Sequence, residues 1–390
     1  MSLPPLVPAG LRCAHQADPL GVAPDRVRLS WVLQSAGTGR GPRSQRAYQI
    51  QVTDDADAMA WDSGQVESGC SADIAYAGSP LTAGGRYRWK VRVWDEAGRA
   101  SGWSDPARFE VELDRTSGWH ASWISPSRIR EAVTPPSGVG PVDQVARALT
   151  PAPYLRRAFT VDQPVTSARL YVTALGLYEA RLNGRRVGDG FLTPGWTDYS
   201  RRIAYQAYDV TRLLAEGENV LGAILADGWY AGFYGFDSKR AGAHYGEVPE
   251  LLAQLVLRLA DGSEQRVVTD GQWQSSTGAI RHADLLMGER HDLALEPPGW
   301  DGPGFDALGW QPVRSRERDG TPLVADPGPP VRVTQEIAPR SIATDDHGRH
   351  IIDFGQNLTG WLRIKGDGPP GTRVRIRHGE VLAADGSLYT

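Results

Sequence analysis

Five carboxylates stand in loop-rich stretches of the chain: Asp189, Asp198, Asp227, Glu289 and Asp292. Two of them facing each other could share acid–base work, and several together could hold a calcium ion through oxygen ligands. Aspartate in such loops also forms turns and caps helices, and that use competes with both. Two aromatic-rich loops accompany them, PGWTDYS at 194–200 and ADGWYAGFYGF at 226–236, with Trp196, Tyr199, Trp229, Tyr230, Phe233 and Tyr234. A sugar is held where an aromatic plane covers its C–H face and carboxylates or amides bond its hydroxyls. Trp196 with Asp198, and Trp229 with Asp227, have that composition. The candidate carbohydrate-binding residues are therefore Trp196, Asp198, Tyr199, Asp227, Trp229 and Tyr230. Packing against a neighbouring domain is the competing use, because exposed aromatic patches commonly mark interfaces.

Other chemistries find little support. The histidines at 15, 120, 244, 282, 291, 347, 350 and 378 show neither HxH nor HExxH spacing, and His347 and His350 would point to opposite faces of a strand. No GxSxG elbow, P-loop or dinucleotide fingerprint occurs. A net charge of −4 gives no reason to invoke nucleic acid or an acidic membrane surface. No apolar run approaches the roughly 20 residues of a membrane span, and the N-terminus shows no charged head followed by an apolar core, so a cytoplasmic protein is expected. Cys13 and Cys70 could pair, but two cysteines make no disulfide framework.

The elements that must position these residues are strands. With 45 glycines, 28 prolines and almost no helical periodicity, the 390 residues read as an all-β chain of several domains. Residues 1–113 alternate at period two through Val27, Leu29, Trp31 and Leu33, through Tyr48, Ile50 and Val52, and through Tyr87, Trp89, Val91 and Val93. They predict a sandwich of the fibronectin or immunoglobulin kind. Opposite the last run, Arg86, Arg88, Lys90 and Arg92 form a basic stripe expected to face solvent. Residues 114–150 read as a connecting strand, SGWHASWISPS, followed by a Pro- and Gly-rich mobile linker.

A second sandwich is expected over 151–328. In ARLYVTALGLYEARLNGRRVG, Leu170, Val172 and Ala174 alternate with Arg169, Tyr171 and Thr173, and Asn183-Gly184 marks a tight hairpin turn. YQAYDVTRLLAEGENVLGAIL predicts a strand, a Thr-started helical turn and another strand; Asp261-Gly262 turns a further hairpin. Residues 329–390 offer about four strand-length runs, with Val374, Ile376 and His378 on one face and Arg373, Arg375 and Arg377 on the other. About 60 residues with so few strands are marginal as a free domain, so this unit is expected to be unfinished or to lean on a neighbour.

From about Pro19 to Thr390, apart from the loop near 128–150, the chain resembles the bacterial α-L-rhamnosidases of glycoside hydrolase family 78. YRWKVRVWDEAG (87–98) is similar to the family's leading fibronectin-like domain. The LNGRRVGDGFLTPGWTDY run, GENVLGAILADGWYAG and PGWDGPGFD are similar to its N-terminal jelly roll. IIDFGQNLTGWLRIK and HGEVLAADGSLYT are similar to the opening of its concanavalin-like sandwich.

The resemblance implies a parent enzyme that inverts as it hydrolyses terminal L-rhamnose from glycosides, through two carboxyl groups roughly 6.5–9.5 Å apart. It assigns that chemistry to a C-terminal (α/α)6 catalytic domain, for which residues 1–390 have no helix-pair pattern. No catalytic residue is carried over, and the chain alone is expected to be inactive. The one cofactor the resemblance implies is a calcium ion, which some sugar-binding jelly rolls of the family hold. At GERHDLA (288–294), His291 and Ala294 replace the family's usual Tyr and Arg. The rival reading is a stand-alone carbohydrate-binding or adhesion protein.

Overall fold

In the computed structural model, the described residues are 6–35, 44–115, 117–127, 149–233, 242–326, 328–345 and 347–389. The proposed linker at 128–148 and Tyr234 lie outside them. The chain divides into two compact units, Met1–Pro330 and Val331–Thr390.

The first unit begins with a β-sandwich. One sheet pairs Leu6–Cys13, Arg28–Ser35 and Ile74–Ala75; the other runs in the order Leu20–Val22, Ala107–Val111, Arg86–Asp95, Gln45–Asp54, Met59–Asp62. Its core is the inward half of the alternating runs: Leu29, Trp31, Ile50, Val52, Trp89, Val91 and Val93, joined by Phe109 and Val111. The period-two pattern put these residues on one face because successive strand side chains point to opposite sides. Cys13 is buried and Cys70 exposed, both as free thiols. Burial pushes the Cys13 thiol up to about 12.

The basic stripe is not the solvated face the sequence suggests. The Arg92 guanidinium lies 4.9 Å from the Trp103 ring and 5.1 Å from Trp94, and Lys90 Nζ lies 4.8 Å from Trp103. Arg86 turns instead into the junction with the next sandwich, its Nη1 donating to Ser167 Oγ at 3.1 Å. Aromatic faces attract cations, and the alternation of one strand does not reveal that its own Trp94 and the following loop's Trp103 will lie across its basic residues.

The second sandwich is built from a large antiparallel sheet that passes through Gly217–Ala226, Pro153–Val161, Gln274–Thr277, Gln311–Arg316, Trp123–Pro126, Glu250–Leu259, Val165–Leu175 and Ile203–Asp209. Leu170, Val172 and Ala174 share a core with Leu221, Ala223, Leu225, Leu255 and Trp273. The opposite side of the same strand is buried as well: Tyr171 and Leu175 pack with Trp119, Trp123, Tyr205 and Leu252. The Asn183-Gly184 turn forms as expected, with φ of 51° and 78°, between Leu177–Leu182 and Arg185–Arg186. Glu250–Leu259 pairs with Glu264–Val268 across the Asp261-Gly262 turn. The strand, Thr-started helical turn and strand expected over 205–225 are Ile203–Asp209, the 3₁₀ turn Thr211–Leu213 and Gly217–Ala226, whose first three residues, expected as a Gly-Glu-Asn turn, already belong to the strand. Fully buried Asn219 ties that turn down: its Nδ2 donates to Ala215 O at 2.7 Å and Gly217 O at 2.9 Å, and its Oδ1 accepts from Asn183 Nδ2 at 2.7 Å.

The two sandwiches are joined by a buried ion cluster. Arg169 Nε donates to both oxygens of Glu110 at 3.0 Å, and Arg86 Nε stands 3.5 Å from the same carboxylate. Tyr205 Oη accepts from Leu113 N at 3.1 Å beside them. The outward residues of both sheets thus meet one another rather than water.

In Val331–Thr390, Ser341–Thr344 pairs with His350–Asp353. The alternating run at 373–378 is exposed and belongs to no strand. Alternation marks which side chains share a face, but a strand also needs a hydrogen-bonding neighbour and a layer against that face.

Candidate functional site

The two aromatic loops meet. Trp196 and Trp229 stack with ring centroids 6.0 Å apart and planes within 3° of parallel. Trp196 is 55% exposed, so part of this pair is open to solvent. Beneath it, Tyr199 is buried, with its ring edge-on to Tyr230 at 5.3 Å and to Tyr245 at 5.0 Å. Tyr230 and Tyr245 are stacked at 6.4 Å, and burial raises the Tyr230 phenol above its usual range. The plate therefore rests on interlocked rings continuous with the second core.

Local sequence explains how each loop is shaped. In the first, Asp198 closes its own turn. Its Oδ1 accepts from Ser200 N at 3.1 Å and Ser200 Oγ at 2.6 Å, and its backbone oxygen accepts from Arg201 N at 2.9 Å and Arg202 N at 3.0 Å. The Ser200 hydroxyl is the main reason that this carboxyl sits below the usual range. In the second, Gly228–Ala231 makes a single helical turn after Asp227, whose backbone oxygen accepts from Ala231 N at 3.0 Å. Gly228 has φ of +54°, and a Cβ there would stand 2.7 Å from Leu177 Cγ, so the tight entry demands glycine. Asp227 is only 6% exposed.

The structure thus brings Trp196, Tyr199, Trp229 and Tyr230 into one cluster. It turns Asp198 to the support of its own loop and buries Asp227. The remaining carboxylates lie elsewhere: Asp189 is exposed, Glu289 stands 3.5 Å from His291 Nδ1, and Asp292 Oδ1 accepts from Ala294 N at 3.2 Å. No group of three or more His, Cys, Asp or Glu side chains suited to a metal ion occurs among the described residues.

Sequence reasoning missed two supports. Tyr245 comes from a separate segment, whose Tyr245 N donates to Tyr230 O at 3.2 Å. Asp284 accepts from Phe233 N at 2.8 Å through Oδ2, and from Leu286 N and Met287 N at 2.8 Å through Oδ1. Burial, with neighbouring Asp227 acting the same way, pushes its carboxyl up. The Asp-Leu-Leu-Met turn at 284–287 is a short-range signal for the second of these; nothing local marks the first.

Three family models match along the chain: a Rha78A-like N-terminal immunoglobulin domain at 8–114, the α-L-rhamnosidase N-terminal domain at 163–335, and the bacterial α-L-rhamnosidase concanavalin-like domain at 343–390. The chain belongs to the bacterial α-L-rhamnosidases, as an N-terminal portion. It is 33% identical to an α-L-rhamnosidase of Streptomyces avermitilis over 95% of its own length and 51% of the relative's. It is 35% identical to one of an Alteromonas species over 96% of its own length and 40% of the relative's. The chain therefore spans about half, or less, of these relatives. Among solved structures, the Streptomyces avermitilis α-L-rhamnosidase, crystallised with L-rhamnose, superposes with a TM-score of 0.86 at 31% identity, over 99% of this chain and 52% of that one. The Aspergillus terreus α-L-rhamnosidase gives 0.86 at 34% identity, over 99% and 42%. The all-β reading and the rhamnosidase resemblance both hold.

Proposed function

We propose that this chain is the leading, non-catalytic β part of an enzyme that releases terminal L-rhamnose from glycosides. It braces a helical catalytic domain carried further along the parent protein and offers the Trp196–Trp229 plate as a sugar contact. The observation that carries the bracing role is the buried Arg169–Glu110–Arg86 cluster, which joins two sandwiches through charged groups that ordinarily stay in water. A loosely tethered binding module would not need such a junction. The matches to N-terminal domain models of α-L-rhamnosidases, with alignment over 51% and 40% of two relatives, support the same reading.

The 390-residue chain alone is expected to release no nitrophenol from 4-nitrophenyl α-L-rhamnoside. Turnover by the purified chain, abolished by substitution of a carboxylate within it, would overturn the proposal.

The sugar contact has its own test. The outer ring of the plate is more than half exposed, so Trp196→Ala should change stability by only about 0.5 kcal/mol. It should also remove saturation-transfer NMR signals between methyl α-L-rhamnoside and the protein. Signals that survive the substitution would place the sugar elsewhere.

A further inference from the structure

Away from the plate, a buried imidazole stands without a hydrogen-bond partner among the described residues. His282, in strand Ile280–Asp284, is 2% exposed, and neither ring nitrogen makes a hydrogen bond among the described residues. The buried Oγ1 of Thr150 is unpartnered too; it lies two residues from Ala152, whose N–H donates to Ile280 O at 3.0 Å. Buried polar atoms are nearly always paired, so two orphans at one strand are a local weakness.

A neutral imidazole tolerates such a place, whereas a protonated one brings two N–H donors and a full charge that nothing receives. The charged groups around it do not compensate. Arg290 is its cross-strand register partner in Gly288–His291 and repels the imidazolium. Asp284, two residues along, attracts it, but its oxygens are committed to three backbone N–H groups. Glu289 faces His291. The adjoining strand Gly217–Ala226 carries one ionisable side chain, Glu218, whose Oε1 accepts from Gly304 N at 3.4 Å. The segment 149–152 carries none, and Leu149, Phe233 and Met287 form an apolar cluster. Burial first, and Arg290 second, hold the His282 pKa below the ordinary imidazole value.

The hairpin made by Ile280–Asp284 and Gly288–His291 also holds the aromatic loop. The bond from Phe233 N to Asp284 Oδ2 fastens the end of the segment that carries Trp229. We infer that this hairpin is an acid-released clasp: protonation of His282 opens it and frees the loop at 227–233. The sign follows from linkage. A base whose folded pKa lies below its unfolded value leaves the closed form intact at neutral pH and weakens it as pH falls through the unfolded value near 6.5. Asp284, with its carboxyl raised, acts in the opposite sense, and its contribution persists when His282 is replaced. The inference does not require the plate to bind sugar.

The test is amide hydrogen exchange on the full chain at pH 7.5 and 5.0, corrected for intrinsic rates, with NMR titration of the His282 ring. We expect the ring to titrate below the ordinary value. Protection at Phe233 and across the hairpin should fall at least tenfold at pH 5.0, while the strands around Trp89 keep theirs. His282→Phe should abolish this fall, leaving protection at pH 5.0 no lower than at pH 7.5, and His282→Leu serves if the larger ring misfolds. Ordinary titration of His282, or unchanged protection at pH 5.0 in the unmodified chain, would sink the clasp whatever the variants do.

Discussion

Replacing Glu110 with alanine is expected to destabilise the Met1–Pro330 unit by about 3 kcal/mol, more than most single substitutions in it. Glu110 is 8% exposed and takes hydrogen bonds from Arg169 on one side, with Arg86 facing it on the other. Its removal leaves two guanidinium groups close together and largely out of water, with no carboxylate between them. Asp209, 2.9 Å from Arg169 Nη1 and half exposed, screens part of the loss and keeps it at the lower end of the range of about 3–5 kcal/mol for a broken buried pair. Replacing both partners should cost far less, because the desolvation penalty disappears with the attraction. Glu110→Leu with Arg169→Met is therefore expected to recover part of the loss, since Arg86 keeps its bond to Ser167 Oγ but loses its carboxylate. Urea unfolding of the two variants beside the unmodified chain checks the pair. A double variant as unstable as Glu110→Ala would mean that shape, rather than charge, holds the junction.

The second large effect lies at Gly176, between strands Val165–Leu175 and Leu177–Leu182. Its φ is +117°, and a Cβ there would stand 2.5 Å from Ala226 O and 3.0 Å from Pro249 Cβ. Neither neighbour is the free end of a flexible side chain. Gly176→Ala should combine backbone strain with overpacking and cost about 3 kcal/mol. Because it pushes against the backbone that enters the 227–233 loop, it should also spoil the Trp196–Trp229 stack, visible as a loss of near-UV circular dichroism. Gly217→Ala is the control: φ is +87°, but nothing lies within 4 Å of the added carbon, so only conformational strain of about 1 kcal/mol is expected, with the stack intact. Equal losses at the two positions would refute the close-approach argument.

Reading the sequence recovered what is short-range. Alternation placed Leu170, Val172 and Ala174 on one buried face, Asn183-Gly184 turned its hairpin, and the loops holding Trp196 and Trp229 converge. The partners of those features were not legible. Tyr245 and Asp284 support the plate from outside the two loops, and Trp103 covers a basic stripe that alternation alone assigns to solvent. The run around Val374 shows the converse, an alternating pattern that forms no strand among the described residues.

By itself, then, the sequence determined the all-β class, the main turns and the inward face of each strand. Those depend on side-chain direction and on φ angles that neighbouring residues set. Only the tertiary structure decided which outward faces are buried, which carboxylates are used up in holding loops, and that His282 is enclosed without a partner. Burial and desolvation belong to pairs of surfaces brought together from distant parts of the chain, and no local pattern encodes which surface the other will be.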